Sequence, residues 1–413
     1  MVTTSDESGT LAAIFGKTHA TIVRASIKRV HSIDVIRGIV MIIMVLDHVR
    51  DMLHLTSITQ SPTDLATTTP ALFFTRWVTH LCAPVFVFLS GTSAFISVSN
   101  KQDLAASRSF LLTRGFWLIV VEFTLVNFGL WFDIHFNVFL FDVIATIGCG
   151  FVVLGLLLGK STRTIATIGL VIIFCHNLTA FIPGEATSLF KTLVMPFFAP
   201  AAIPFGDGKT FVMGYPPIPW LGIMLVGFTA GNLFLKEIAE KKRLFLRIGL
   251  ASIALFLIIR SYNIYGDTVP WSVQKNGLYT FLSFINLTKY PPSLDFCLLF
   301  LGIMFLLLAA LEGVQNRFTA IAAVYGKVPL FYFVIHWYII HPIVFAMVFL
   351  QGYKASDMVF GFNFGRPKEG SSGLGLIPIY LIWIAVVVLL YPLCKWYGSY
   401  KEKHRDVKWL RYL

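Results

Sequence analysis

Long apolar runs alternate with short breaks of charge, proline and glycine along nearly the whole chain. One bilayer crossing takes roughly 20 apolar residues, so each long run predicts a membrane-spanning helix. About ten such runs can be delimited: 33–53, 77–98, 111–131, 139–158, 164–183, 216–235, 246–262, 294–312, 322–350 and 375–397. The expected fold is therefore all-α, a polytopic integral membrane protein with about ten helices in one bundle. The ninth run carries Pro329 and Pro342. A kinked helix, or a helix plus a re-entrant piece, is expected there. Longer connections near 54–76, 184–215, 263–293 and 351–374 are rich in Pro, Gly, Thr and aromatic residues. The expected division is a tail over 1–32, a membrane domain over 33–398 and a basic tail over 399–413.

Composition agrees with the pattern. Of 413 residues, 56% are apolar and 13% charged, against about 25% charged in an ordinary soluble domain. That excludes a disordered chain, a soluble globule and a small disulfide scaffold. The net charge of +12 reports on topology before it reports on a ligand. Basic residues recur in alternate breaks: Lys17, Arg24, Lys28 and Arg29; Lys101, Arg108 and Arg114; Lys160 and Arg163; Lys236, Lys241, Lys242, Arg243 and Arg247; and Lys395 to Arg411. This positive-inside pattern places both termini in the cytoplasm. The lipid bilayer is the expected partner and nucleic acid is not. Asp6 and Glu7, with no apolar segment before Arg24, argue against a cleavable signal peptide. The five cysteines form no CxxC pair and read as buried free thiols.

Ionisable side chains inside a span are costly and point to function. The first span is richest. It opens with Asp34 and Arg37 and ends in Asp47-His48-Val49-Arg50-Asp51-Met52-Leu53-His54. Asp47, Arg50, Asp51 and His54 share one helical face, with His48 beside it. Asp34 and His48 are about 21 Å apart along a helix, which puts the cluster near the outer membrane face. Two histidines among carboxylates suit general acid–base work, and the same residues also suit an ion network capping the helix. The spacing is not a standard zinc pattern, and no metal is expected. In the second span His80 precedes Pro84-Val85-Phe86-Val87-Phe88-Leu89-Ser90-Gly91-Thr92-Ser93, where small residues allow close helix approach. Glu122, Asp142, His336 and His341 are further ionisable groups in or beside spans, and one of the two late histidines is expected to reach the cavity of His48. Phosphate-loop, dinucleotide, HExxH and GxSxG motifs are absent from the sequence.

The run Ser32-Ile33-Asp34-Val35-Ile36-Arg37-Gly38, the Pro84–Ser93 segment and Val328-Pro329-Leu330-Phe331-Tyr332-Phe333-Val334-Ile335-His336 resemble motifs of the heparan-alpha-glucosaminide N-acetyltransferase catalytic-domain family, in its bacterial branch. The resemblance implies an acyl-CoA-dependent transmembrane acyltransferase of the bacterial cytoplasmic (inner) membrane. It would move an acyl group, acetyl above all, from cytosolic acyl-CoA to an extracytoplasmic sugar or glycan acceptor. His54 best matches the family's histidine, while His48 stands where the family has asparagine, and either serves as the base. Asp47 or Asp51 would orient it, Arg50 or a helix-end backbone N–H would stabilise the oxyanion, and His336 would reach the centre from the ninth span. Arg37 with Asp34, and Ser90 with Gly91, would hold the donor. A homodimer follows by analogy only. The competing class is a secondary transporter of a small, anionic solute, which places its ionisable groups at the midplane.

Overall fold

The computed structural model describes residues 30–101, 103–181, 193–368, 372–404, 406–407 and 410. The chain is mostly helical (71%). Lys17, Arg24, Lys28, Arg29, Arg405, Lys408 and Arg411, on which much of the terminal charge reading rests, lie outside the described residues.

The first run is α1 (His31–Leu53). The second is longer than its apolar core. α2 (Pro70–Thr79) and α3 (Cys82–Lys101) meet at His80 and Leu81 and together run 32 residues. α4 (Leu104–Val121) continues through one π-helical turn (Glu122–Val126) into α5 (Asn127–Trp131). The fourth run corrects the all-α expectation. Val138–Phe141 is a strand, β1, and only α6 (Val143–Leu157) is helical. α7 (Thr162–Cys175) ends in a 3-10 segment that continues to Phe181. β2 (Ala201–Phe205) and β3 (Lys209–Met213) follow, then α8 (Pro217–Ala230) and α9 (Ile238–Tyr262). The loop after α9 holds the short α10 (Gly277–Ile285), and α11 (Leu294–Leu311) returns.

The ninth run is neither of the two expected forms. It is two helices, α12 (Arg317–Gly326) and α13 (Pro329–Leu350). Pro329 opens α13 at a position where its missing N–H costs nothing, and Pro342 lies inside it. α14 (Leu376–Lys403) completes the bundle, after a two-stranded pair of β4 (Met358–Val359) and β5 (Arg366–Pro367).

Among the described residues, eight helical segments are long and apolar enough to cross a membrane. α1, with its charged ends, and the 15-residue α6 complete the set of runs read from the sequence. α9 and α14 present apolar stripes outward, with Leu246, Leu250 and Leu257 on one and Ile377, Leu381, Ile384 and Val388 on the other. Such a surface requires lipid around it. Several helix pairs cross so closely that glycine is required, and two of these crossings fix α1 and α3. A Cβ on Gly38 would lie 1.8 Å from the Ala322 carbonyl oxygen, and one on Gly326 would lie 1.9 Å from that of Asp34, which locks α1 against α12. Gly91 and Gly227 do the same for α3 and α8, at 2.1 Å from the Met224 oxygen and 2.2 Å from the Phe88 oxygen.

The small sheet has strand order β1-β3-β2, with β1 parallel and β2 antiparallel to β3. Asn127 ties it to the π turn. Its amide donates to the Glu122 and Leu140 carbonyls, and its side-chain oxygen accepts from Leu140 N–H at 2.7 Å. The Gly214 and Tyr215 N–H groups both donate to the Phe141 carbonyl at 3.1 Å, so the sheet sets Tyr215 beside Asp142 and the end of α1. All five cysteines are free. Cys82, Cys297 and Cys394 are buried as expected, while Cys149 is half-buried and Cys175 is exposed.

Candidate active site

α1 and α13 bring together two histidines 288 residues apart in sequence. Nδ1 of His48 lies 2.7 Å from Nε2 of His336. Nδ1 of His336 faces the Tyr332 carbonyl at 3.2 Å. A carbonyl only accepts, so that nitrogen carries the proton and Nε2 of His336 is the acceptor of the 2.7 Å contact. His48 therefore donates through Nδ1 and keeps a lone pair on Nε2, the state a proton acceptor needs. Trp337 stacks on the His48 ring (centroids 4.2 Å apart, planes 21° apart), and Phe333 meets both histidine rings edge-on. Packing on these three sides fixes the ring. His336 is fully buried and His48 is half-buried.

A cavity approaches the pair from each end of the bundle. The first, about 270 Å³, lies toward the end where Lys101, Lys160 and Lys236 emerge. Arg37, Arg114, Ser90, Ser93 and Ser97 supply its polar lining, and Met41, Phe86, Phe151 and Phe333 are among its apolar walls. The second, about 340 Å³, opens toward the opposite end. His48, Asp47, Asp51, Arg76, Asp142, Tyr215, Lys289, Tyr290, Trp131 and Trp337 border it. Phe333 thus lies against the first cavity and His48 against the second, with the two rings in contact.

The other residues singled out in the first span have taken separate places. Arg50, 1% exposed, donates to Asp47 at 2.8 Å and to Asp51 at 2.6 Å. The second oxygen of Asp47 accepts from Arg76 of α2. This ion network is complete without His48, whose orientation comes from His336 and Trp337 and not from a carboxylate. His54 caps the end of α1. Its Nδ1 sits 3.2 Å from the Thr56 hydroxyl, and its carbonyl accepts from Arg366 at 3.0 Å. Burial, with the nearby Arg50 and Arg366 charges, lowers the His54 imidazole below the usual histidine range. Burial likewise pushes the Arg366 guanidinium down to about 10. His54 borders neither cavity.

Of the residues expected to hold a donor, Arg37 and Ser90 line the first cavity. Arg37 also donates to the Ser93 hydroxyl at 2.8 Å and to the Gly326 carbonyl at 3.2 Å. Asp34 is buried, 3.8 Å from Arg37. Gly91 serves the α3–α8 crossing and does not border the cavity. His341 lies away from the pair and donates through Nδ1 to the Gly129 carbonyl at 2.8 Å. Glu122 faces the interior, where Oε2 accepts from Ala145 N–H at 3.0 Å.

The residues that sequence reading missed are Arg76, Lys289, Tyr215, Tyr290 and Trp337. Arg76 had a signal: it is the one charged side chain in the apolar segment PALFFTRWVT. Lys289 lies in a loop and had none. Among the described residues no group of three His, Cys, Asp or Glu side chains converges as a metal site would.

The fold and this site define a multi-pass membrane protein with a histidine pair between two cavities. The profile of the family described as Heparan-alpha-glucosaminide N-acetyltransferase, catalytic, matches residues 29–265. That is more than half of the chain, and the chain belongs to this family. Membership implies a membrane acetyltransferase. Comparison with curated proteins found no match.

Proposed function

We propose that the protein transfers an acetyl group from cytosolic acetyl-CoA to a sugar or glycan acceptor on the other side of a bacterial inner membrane. The observation that carries this reading is the histidine pair, set between one cavity from each end of the bundle. Both termini and the lysine-rich end are taken as cytoplasmic.

The first cavity suits the acyl end of the donor. It is narrow and mostly apolar, as a pantetheine arm requires, and Arg37 and Arg114 supply positive charge for phosphate groups. Its volume holds only part of acetyl-CoA, so the nucleotide lies beyond its mouth. The second cavity suits a sugar. Trp131, Trp337 and Tyr215 offer flat faces to C–H groups, while Asp51, Asp142 and Lys289 offer hydrogen bonds.

In the transfer step the acceptor N–H or O–H gives its proton to Nε2 of His48. The acceptor heteroatom bonds to the thioester carbonyl carbon, the C–S bond breaks, and the CoA thiolate leaves into the first cavity. His336 holds the His48 tautomer that makes Nε2 basic and accepts the hydrogen bond from Nδ1–H, which strengthens as charge builds on the ring. His336 is thus a positioning residue. Direct transfer needs no acyl-enzyme.

The test is calorimetric binding of acetyl-CoA to the detergent-purified protein, with Ser90→Phe as the comparison. Saturable binding to wild type and its loss in Ser90→Phe are expected. A folded wild-type protein that binds neither acetyl-CoA nor longer acyl-CoAs would overturn the reading.

A further inference from the structure

Lys289 is 7% exposed, yet its ammonium faces no carboxylate within 4 Å among the described residues. Its contacts are the ring faces of Tyr290 and Tyr215, with centroids 5.0 and 5.8 Å away. Cation–π contact offsets only part of the cost of burying a charge. The acids nearby do not make up the difference. Asp47 is held by Arg50 and Arg76, Asp51 by Arg50, and Asp142, the third acid of the His48 cavity, makes no ion pair with the ammonium within 4.0 Å. Elsewhere in the bundle the pattern is the opposite: buried Lys241 pairs with Glu312 at 2.6 Å, and Glu312 also accepts from Ser32.

The position of Lys289 tells what it serves. Beside the cavity of His48 lies a third, of about 380 Å³, bordered by Ser61, Thr63, His80 and Thr288. The two adjoin along Asp51, Arg76, Lys289 and Tyr290. Lys289 therefore stands at their seam, on the acceptor side. His80, also at the third cavity, is buried with Nδ1 unpartnered among the described residues. A neutral sugar would leave the ammonium with no oxyanion in contact. An acceptor with an oxyanion would supply one and have its nucleophile in reach of the cavity that His48 borders.

We propose that the acceptor is an anionic sugar, bearing a phosphate or carboxylate, and that Lys289 is the specificity-determining residue that receives this group. The inference rests on the acyltransferase reading for the word acceptor, but not for the binding event itself. Lys289 lies outside the segment matched by the family profile, so this selectivity belongs to the chain's own acceptor side.

The experiment is equilibrium binding to the detergent-purified full chain without any acyl donor. The probes are glucosamine, glucosamine 1-phosphate, glucuronic acid and inorganic phosphate, each against wild type, Lys289→Gln and Lys289→Arg. The expected result is at least ~10-fold tighter binding of one or both anionic sugars than of glucosamine. Lys289→Gln should remove that preference and Lys289→Arg should keep most of it. Which anionic sugar binds identifies phosphate or carboxylate. Binding of inorganic phosphate as tight as that of either sugar means an ion site only and overturns the proposal. So does equal binding of charged and neutral sugars, or an unchanged preference in a folded Lys289→Gln protein. Acetyl-CoA binding is measured separately on the same samples. Its failure counts against the acyltransferase reading and leaves the anion result standing.

Discussion

The two cavities that flank the histidine pair are built from different materials. The one at the lysine-rich end has apolar walls, three serines and two arginines. The one at the other end holds three acids, two cations and a ring of aromatic side chains. The first fits a long, thin, flexible chain that is recognised by shape and carries its charge at one end. The second fits a compact polar molecule that must be oriented by several groups at once. The contrast teaches that, on the proposed reading, donor and acceptor need not share a chamber: the histidine pair stands between them, with His48 against the second cavity and Phe333, which meets both imidazoles, against the first.

Changing that pair gives the largest expected effect. His48→Ala should lower acetyl transfer by about 10²–10⁴-fold, the usual contribution of a general base, with acetyl-CoA binding kept. His336→Ala removes the group that fixes the tautomer but leaves the base in place, so its loss should be smaller and fall on kcat. His336→Gln, whose carbonyl can accept from Nδ1, should recover part of it. Single-turnover rates with saturating donor measure both. Full activity in His48→Ala would break the comparison at its centre.

The next effect separates the cavities. Ser90→Phe narrows the first and should raise the KM for acetyl-CoA by at least ~10-fold while leaving that for the acceptor within about twofold. Equal changes in both would mean that the two spaces are one. Gly91, one residue away, supplies the control. Its Cβ would strike the Met224 carbonyl oxygen at 2.1 Å, so Gly91→Ala should lower stability by about 1–3 kcal/mol through overpacking. Thermal unfolding in detergent reads that loss, with little specific change in donor KM.

Much of the bundle was legible because membrane spans are long and their solvent is uniform. The failures have physical causes. Val138–Phe141 is as apolar as a span, and only pairing with Thr210–Met213, some 70 residues later, makes it a strand. Lys327 and Val328 interrupt the ninth run although its composition barely changes, since Pro329 cannot continue the helix before it. In the site, His48 and His336 stood out as costly polar groups in apolar runs. Their meeting did not, because helix periodicity says which face a residue occupies and not which helix it meets. The same limit hid the partner of Asp47: Arg76 lies just before the apolar run used to place the second span, on a helix that begins at Pro70.

Arg76 provides a structural counterpart to the histidine changes. It is mostly buried and holds the second oxygen of Asp47. Arg76→Ala leaves that oxygen with no cation, and breaking a buried pair from one side costs about 3–5 kcal/mol. Partial exposure of both side chains reduces this. A drop in unfolding temperature is expected, together with lost binding of the proposed acceptor, since Arg76 borders both the cavity of His48 and the one beside it. Donor binding in the folded fraction should be unchanged.

The smallest effect concerns His54, which the first-span pattern also offered as a base. It caps α1, lies away from both cavities, and is half-buried near Arg50 and Arg366. Those surroundings lower its folded-state pKa beneath the unfolded value of about 6.5. Folding therefore favours the neutral ring. The stability it contributes is fully present above about pH 6.5 and is lost as pH falls toward the lowered folded value. The slope is less than the ~1.4 kcal/mol per pH unit that one full proton would give. His54→Gln should flatten this acid-side loss in thermal unfolding curves between about pH 5 and 6.5, and should keep transfer within a few-fold of wild type. If His54→Gln instead abolishes transfer at pH 7 in a folded protein, the base lies at the end of α1, and the wall between the cavities must be redrawn around it.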